Sequence, residues 1–487
     1  MTSTSVSSVS IFDIHLIVTN ICDHLSSNDI WSCTRVCKDW ASIFMQHHWR
    51  DVWLVDRNRR SRLSSLSARN LDLIRKRSHW VRVLAVDTWN TSFLDTNNSF
   101  DNLRRFICKE LIHFDPDEFD PKGPTALDLL SRNPRLRVLE IECQKHLFWS
   151  INDNLIPMLP KLSHLQCFEW DVSVGFDHRL FFTILQNIPP SLRNLGITYE
   201  DKYFEQGQCF DHVTKPPYHW KLNGLSRFAF MGMETMNEDH FLIPFIKSCP
   251  SLKDLTIPTV SSKHVAGLMK TLAKDCPRLE NLTLNYDEHG GSEASYFGEM
   301  HHRFKNLSIE IHSDRENKVV PTLMAYAAET LQVLQLDHAL FLESSDLVRI
   351  LASCPNLEHL YVRSVWSAQH GPRVSVTLQD LVKTPWKCKR LRFISLTVTD
   401  AKAAQENNSA FESQAAEGGV GRQRETAMLI LQLFHKLKTL PSLGDFACFH
   451  WHGESLRMPV DIGLGYMDNE ICVEDLKWMK LQWPAPN

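Results

Sequence analysis

The sequence predicts an α/β protein in which a small all-α module precedes an α/β solenoid, a curved parallel sheet with outer helices. Three observations favour this fold class. The first forty residues carry apolar side chains at helical spacing, and a short apolar motif recurs along most of the remaining chain. The composition, with 43% hydrophobic and 23% charged residues among 487, is that of a folded protein. This length allows two or three domains, or one long repeat array.

The N-terminal module, residues 11–52, is predicted to contain two amphipathic helices. Between Ile14 and Leu25 the apolar residues recur at i, i+3, i+4 and i+7. The polar residues 26–29 supply a turn and an N-cap for a second helix. One stripe of this second helix would carry Ile30, Cys33, Val36, Cys37 and Trp40. Because about forty residues make too little core to bury both faces, part of this surface is expected to contact another protein or the rest of the chain.

The same residues resemble the F-box family. The family pattern is Leu-Pro, a helix ending in Leu, then Asp-Leu, then Val-Cys-Lys-x-Trp. The corresponding residues here are Asp13-Ile14, Leu25, Asp29-Ile30 and Val36-Cys37-Lys38-Asp39-Trp40. The resemblance implies docking to the Skp adaptor of a cullin-RING ubiquitin ligase of the SCF type. The residues expected to form the docking surface or its immediate support are Leu16, Val18, Leu25, Ile30, Val36 and Trp40.

Residues 53–110 are predicted to be a basic linker with irregular first repeats. Two basic clusters, within 57–62 and at 75–77, could be a nuclear localisation signal, an anion-facing patch or a solvated helix face. One or two irregular repeats are indicated by apolar triplets, namely Val81, Leu84 and Val86, and Leu103, Phe106 and Cys108.

A repeat array is predicted over residues 111–398. Three copies of a Cys-Pro motif, at Cys249, Cys276 and Cys354, each lead into Leu-x-x-Leu-x-apolar. With weaker copies, the motif starts at residues 136, 162, 192, 225, 252, 279, 304, 331, 357 and 391. A period near 26 with this motif resembles the cysteine-containing leucine-rich repeat, which pairs one strand with one helix. The cysteines at the helix ends are expected to pack as small apolar groups.

Two further segments complete the predicted organisation. Residues 399–426 are rich in Ala, Glu, Gln, Ser and Gly and are expected to be a disordered low-complexity loop. Residues 427–487 are expected to contain closing repeats, because the ends of a repeat stack must be covered.

Composition and motifs argue against several classes of function, namely nucleic-acid binding, membrane insertion, secretion and catalysis. The formal charge of −4 provides no global attraction to nucleic acid or to an acidic membrane. We expect no transmembrane helix and no secretory signal, and the 13 singly spaced cysteines favour a reducing cytoplasmic or nuclear location. We identify no catalytic motif, cofactor motif or metal site, although two histidines in 449–452 would share one face of a strand.

A binding surface is therefore the expected functional feature. In such a solenoid the outward strand positions form a concave face that binds partners. The predicted target-binding residues are Asp254, Thr256, Asn281, Thr283, Asn285, Gln335, Asp337, His359, Tyr361 and Arg363. Their mixed polar character suits a protein or peptide better than nucleic acid, which favours a positive groove.

The two resemblances together imply the substrate-recognition subunit of an SCF-type ubiquitin ligase, which is not itself an enzyme. The F-box would bind the Skp adaptor, and the repeats would hold a target protein whose identity the sequence does not reveal. The alternative is a non-ligase scaffold with a degenerate F-box, favoured by Ile14 in place of the family's proline. A third hypothesis, an enzyme with a site near the C-terminus, rests only on the Trp- and His-rich segment around residue 450.

Overall fold

The N-terminal module is built from three helices rather than two. In the computed structural model they are α1 (His15–His24), α2 (Ser27–Cys33) and α3 (Lys38–His48). The prediction of one continuous second helix through Trp40 is wrong, because α2 ends at Cys33 and Cys37 becomes the N-cap of α3. Its Sγ accepts a hydrogen bond from the Trp40 amide at 3.5 Å.

The structure describes residues 15–54, 68–86, 100–109, 126–143, 155–172, 178–199, 220, 222–231, 239–260, 262–286, 304–310, 319–337, 344–362, 376–399, 428–429, 432–433, 435–436, 439–440, 449–452 and 459–460. The chain divides into two units, Met1–Leu225 and Ser226–Asn487.

After the three helices, the first unit continues as a parallel sheet. Its strands are β1 (Asp51–Leu54), β2 (Val83–Val86), β3 (Arg105–Lys109), β4 (Val138–Cys143), β5 (Cys167–Val172) and β6 (Asn194–Tyr199). Each strand pairs in parallel with the next in chain order. The helices between them are α4 (Ala68–Arg77), α5 (Ala126–Ser131) and α6 (His178–Asn187), with 3₁₀ turns at Ser78–Trp80 and Leu159–Lys161.

The second unit repeats the same plan. Its strands are β7 (Arg227–Met231), β8 (Asp254–Val260), β9 (Asn281–Tyr286), β10 (Asn306–Glu310), β11 (Val333–Asp337), β12 (His359–Val362), β13 (Val376–Thr377), β14 (Phe393–Thr399), β15 (Phe449–His452) and β16 (Pro459–Val460). Its helices are α7 (Asp239–Lys247), α8 (Ser262–Asp275), α9 (Val319–Tyr326), α10 (Ser344–Ser353) and α11 (Leu378–Lys383). Neighbouring strands from β7 to β15 pair in parallel, with β13 beside β14, and only the pairing of β15 with β16 is antiparallel among the pairings described. The predicted α/β class with a parallel sheet and helices is confirmed.

The recurring motif places three apolar side chains of each repeat in the core. In the repeat that begins at Leu279, this residue and its partners Leu282 and Leu284 are all buried. The pairing register aligns Leu282 with Leu255 on one side and with Leu307 on the other. Alternate strand positions therefore form one buried layer, as the period-2 pattern predicts.

One motif copy was misplaced by three residues. The sequence assigned a repeat to Leu162, but β5 begins at Cys167, and the core positions are Leu165, Phe168 and Trp170. The register pairs Phe168 with Leu139 of β4, which settles the alignment. Leu162 instead ends the turn before the repeat, where its carbonyl accepts the Leu165 amide at 2.9 Å. In the repeat that begins at Leu252, the Cys249 carbonyl likewise accepts the Leu252 amide at 3.1 Å.

The sheet starts earlier than predicted, at β1 directly after α3. Val52 and Leu54 of β1 are buried, and Trp49 lies three residues before Val52. The same spacing of three and five residues thus begins immediately after α3, inside the segment assigned to the helical module. The triplets at Val81 and Leu103 do supply strands, β2 and β3.

The Cys-Pro cysteines pack as small apolar groups, as predicted. Cys249, Cys276 and Cys354 are fully buried at the ends of their helices. The Cys276 Sγ lies 3.5 Å from the Cys249 carbonyl oxygen in the preceding repeat. Burial raises the pKa of the Cys276 thiol to about 12, which keeps it neutral at physiological pH.

The predicted disordered loop at 399–426 lies outside the described residues, as does most of 427–487. Within the latter, Leu440 is buried and the Lys436 ammonium donates hydrogen bonds to carbonyls at the end of α11, including those of Leu381 and Val382. Within the ranges described, no helix has the length and apolar character needed to cross a membrane.

Candidate functional site

The three helices of the N-terminal module close around a core of their own. Val18, Cys22, Ile30 and Phe44 are buried together. Leu25, Cys33, Trp40 and Ile43 pack against them with part of their surface exposed. The rings of Trp40 and Phe44 lie 5.3 Å apart. Four of the predicted docking residues (Val18, Leu25, Ile30 and Trp40) therefore support the fold of the module.

Helix α2 is fixed by a capping box at its start. The Ser26 hydroxyl accepts the Asp29 amide at 3.2 Å, and the Asp29 carboxylate accepts the Ser26 amide at 3.2 Å. This confirms the N-cap predicted in the polar run. A cap of this kind contributes about 1 kcal/mol to the helix. It sets the direction of α2 and hence of the side chains that α2 exposes.

Among the described side chains of the module, three large apolar ones are exposed to solvent. Val36 is 62% exposed in the turn between α2 and α3, Trp31 is 46% exposed on α2, and Ile21 is 37% exposed on α1. Val36 belongs to the predicted docking set, while Trp31 and Ile21 were missed. A large aromatic residue directly beside the buried Ile30 was the available signal for Trp31. The side chain of Leu16 lies outside those described.

The exposed Trp31 ring contacts His48 at the end of α3. Their ring centroids are 5.1 Å apart. His48 also meets Trp49 edge-on at 6.0 Å. Burial, followed by the nearby Arg77 guanidinium, lowers the pKa of His48 below its ordinary value of 6.5. The neutral imidazole is thus the form that fits this contact.

This lowered pKa predicts an acid-sensitive module. The unfolded chain binds the His48 proton with ordinary affinity, so stability from the neutral form is complete above pH 6.5 and is lost as the pH falls through the lowered folded-state pKa. We expect the urea midpoint of the wild type to fall more than that of His48→Gln between about pH 7.5 and about pH 5.5. Equal decreases in the two proteins would contradict this assignment.

An ion pair joins the module to the start of the sheet. The Arg50 guanidinium lies 2.6 Å from the Asp23 carboxylate at the end of α1. Nearby, the Arg77 guanidinium lies between Trp49 and Trp80, 5.3 Å and 5.4 Å from the ring centroids. At least Arg77 of the second basic cluster is therefore packed on aromatic rings and does not belong to a solvated helix face. The first cluster, 57–62, lies outside the described residues.

In the second unit, the predicted target-binding residues occupy parallel rows on what we call the solvent face, the strand positions that alternate with the buried ones. One row contains Thr256, Thr283, Ser308, Gln335 and Tyr361, paired strand to strand. The structure thus brings four predicted residues into line and adds Ser308, which the sequence analysis missed.

A second row on the solvent face is partly occupied by its own hydrogen bonds. The Asn281 side-chain amide donates to the Asp254 carboxylate, and the Asn306 side-chain amide donates to the Asn281 side-chain oxygen Oδ1 at 2.7 Å. These ladder contacts tie β8, β9 and β10 together. Asp254 and Asn281 therefore stabilise the sheet, and their remaining acceptor capacity is what a ligand would contact.

The two rows end together in an aromatic cluster of His359, Tyr361 and Phe393. The rings of Tyr361 and Phe393 lie 4.4 Å apart, and His359 lies 6.3 Å from each. His359 and Tyr361 were predicted and Phe393 was missed, although it stands two residues after Leu391, as His359 stands after Leu357. Tyr361 and His359 are half-buried, so the cluster offers a partly apolar platform on an otherwise polar face.

The remaining predicted positions are less fully described. Asn285 and Asp337 lie in β9 and β11 and both pair with Glu310, but their side chains are outside those described, as is all of Arg363. The described part of the chain contains no cluster of three or more His, Cys, Asp or Glu side chains suited to a metal ion.

Comparisons with known proteins add little to this geometry. No family model matches the sequence, and no curated protein matches it significantly. Among solved structures, the chain is similar to a chain in the crystal structure of the Rad7 and Elc1 complex in yeast. The match has 14% identity and a TM-score of 0.42, and it covers 86% of this chain and 100% of that chain. A similarity this low carries no conclusion about function.

Proposed function

We propose that this protein is the substrate-recognition subunit of an SCF-type ubiquitin ligase. The Skp adaptor would bind the N-terminal module, and a target protein would bind the solvent face of the repeats. The observation that carries the proposal is the exposure of Trp31 and Val36 on a module whose core is already closed. The order of residues shared with F-boxes supports the same assignment.

In this proposal, burial separates the residues that support the module from those that contact the adaptor. Val18, Ile30 and Phe44 are buried in the module core, so they hold the three helices together and do not contact a partner. Trp31 and Val36 expose large apolar areas, which gain free energy when a partner covers them. Trp is also among the residue types that dominate interface energetics.

In this proposal the chain performs no covalent step. Holding the target near a conjugating enzyme raises the effective concentration of a target lysine at the ubiquitin thioester. The Thr256 to Tyr361 row and the ring cluster at Phe393 would supply the target contacts. A mixed row of hydroxyls, an amide and aromatic rings suits a protein segment.

Affinity purification of the tagged full chain tests the proposal. We expect the wild type to recover the Skp adaptor and the cullin, and a Trp31→Ala, Val36→Asp variant to lose at least about tenfold of both, equivalent to about 1.4 kcal/mol. Leu25 and Trp40 are avoided, since both pack against the module core and their loss would destabilise the module itself.

A matched control separates docking from general surface change. Tyr326 and Met231 are 43% and 49% exposed in the second unit, and a Tyr326→Ala, Met231→Asp variant likewise removes an exposed aromatic ring and places an aspartate on an exposed apolar position there. It should recover the adaptor as the wild type does. If the wild type recovers neither adaptor nor cullin, the ligase proposal fails and the scaffold alternative gains.

A further inference from the structure

A row of arginines runs across the first-unit sheet, one residue before each strand. Five of its six positions are arginine, and the row reads Arg50, Arg82, Arg104, Arg137, Gln166 and Arg193. Backbone hydrogen bonds fix the order, because the Arg104 amide donates to the Arg82 carbonyl at 2.7 Å and the Arg137 amide donates to the Arg104 carbonyl at 2.8 Å. The backbones of neighbouring row members are therefore about 4.8 Å apart, measured across the sheet from strand to strand.

One end of this row, Arg50, is paired with a carboxylate, whereas its middle is not. Arg50 pairs with Asp23, and Arg105, one residue beyond Arg104, pairs with Glu140 at 2.6 Å. Among the described residues, Arg104 and Arg137 form no ion pair with a carboxylate, and neither does their neighbour Arg135. Arg135 and Arg137 are exposed, and Arg104 is half-buried.

Positive charge accumulates around Arg104. Burial and then Arg137, Arg135 and Arg82 lower the pKa of this guanidinium, and every charge that acts on it is another arginine. The sheet holds the guanidinium groups of these four arginines near one another. Their mutual repulsion opposes folding. An anionic partner removes this repulsion and gains charge-assisted hydrogen bonds.

We propose that the row formed by Arg82, Arg104 and Arg137, with Arg135 beside it, binds an extended segment of a partner protein rich in aspartate and glutamate. In an extended peptide, side chains on one face recur about every 6.8 Å, so acidic residues two positions apart can each meet the row. This surface lies in the first unit and is separate from the solvent face of the second unit. It does not depend on adaptor binding.

The surroundings favour a peptide over nucleic acid. Three residues further along β4 and β5, Glu140 and Glu169 stand side by side, about 10 Å from the row. A single extended peptide can follow the row without covering these carboxylates, whereas a duplex, which is much wider, would place phosphates against them. The next position of each strand carries Asp51, Val83, Arg105, Val138, Cys167 and Asn194, and none of these offers an aromatic ring for base stacking.

Fluorescence anisotropy on the purified full chain tests this inference. The probe is a labelled peptide of about twelve residues that alternates Glu with Thr, and the reference is the same peptide with Gln for Glu. We expect only the Glu peptide to bind, with an affinity that falls as salt is raised. An Arg104→Glu, Arg137→Glu variant should bind it at least about tenfold more weakly.

Controls keep the outcome decisive. Arg349 and Arg390 are exposed arginines of the second unit, and an Arg349→Glu, Arg390→Glu variant makes the same change in net charge. It should bind the Glu peptide as the wild type does, and an Arg104→Gln, Arg137→Gln variant should show the loss without reversing charge. The inference is overturned if the wild type does not bind the Glu peptide, if both charge-reversed variants lose binding equally, or if a single-stranded oligonucleotide of equal length binds this row more tightly.

Discussion

Replacing Phe44 with alanine is expected to lower the free energy of unfolding of the N-terminal module by about 3–5 kcal/mol. Phe44 is only 2% exposed, packs with Val18, Cys22 and Ile30, and lies 5.3 Å from the Trp40 ring. A module of three short helices has no other large buried ring in this core among the described residues. Its removal leaves a cavity that the helices cannot fill.

Hydrogen exchange measured by mass spectrometry shows this loss directly. Amides within residues 15–50 of Phe44→Ala should exchange markedly faster, while those of the second unit should not change. Val36→Ala is the matched control, because Val36 is 62% exposed and its truncation should cost no more than about 0.5 kcal/mol. Unchanged exchange in 15–50 for Phe44→Ala would mean that the module core is not the one described.

The second large effect is expected at Leu282, in the interior of the second-unit sheet. Leu282→Ala should cost about 2–5 kcal/mol, because its side chain is 1% exposed and stacks in register between Leu255 and Leu307. In a repeat array, a cavity in one repeat also weakens the contacts of that repeat with both neighbours.

Urea unfolding with local exchange measurements tests this prediction. Faster exchange should extend through β8, β9 and β10 in Leu282→Ala. Thr283→Ala, one position away on the solvent face, should stay within about 0.5 kcal/mol of the wild type. If the two variants were equally destabilised, the assignment of buried and solvent-facing positions in β9 would be wrong.

Much of the fold could be predicted because the repeat motif carries its own register. Leu-x-x-Leu-x-apolar fixes which side chains enter the core, and the Cys-Pro copies also mark the preceding helix ends. The exceptions arose where a turn residue was itself apolar. Leu162 matched the motif as well as Leu165 did, and only the pairing of Phe168 with Leu139 separates them.

The helical module was harder to predict because its break has no strong local signal. Thr34 to Val36 are compatible with a continuing helix, and Cys37 is not a usual N-cap residue. The break changes which residues are exposed. In one continuous helix Val36 would lie on the apolar stripe, but in the turn after α2 it is exposed. Trp31 then remains as the large exposed ring of α2.

The candidate binding face depends on contacts between repeats that spacing alone does not contain. Spacing located Asp254 and Asn281 on the solvent face, but not their hydrogen bond to each other or the bond from Asn306. The same holds for Phe393, whose place beside Tyr361 follows from the pairing of β12 with β14.

Adaptor docking is tested most directly by calorimetry of the purified full chain with the purified Skp adaptor. We predict a complex with one copy of each protein that Trp31→Ala, Val36→Asp weakens at least about tenfold and that Tyr326→Ala, Met231→Asp leaves unchanged. Absence of a complex with the wild type, or equal affinity for all three proteins, would contradict it.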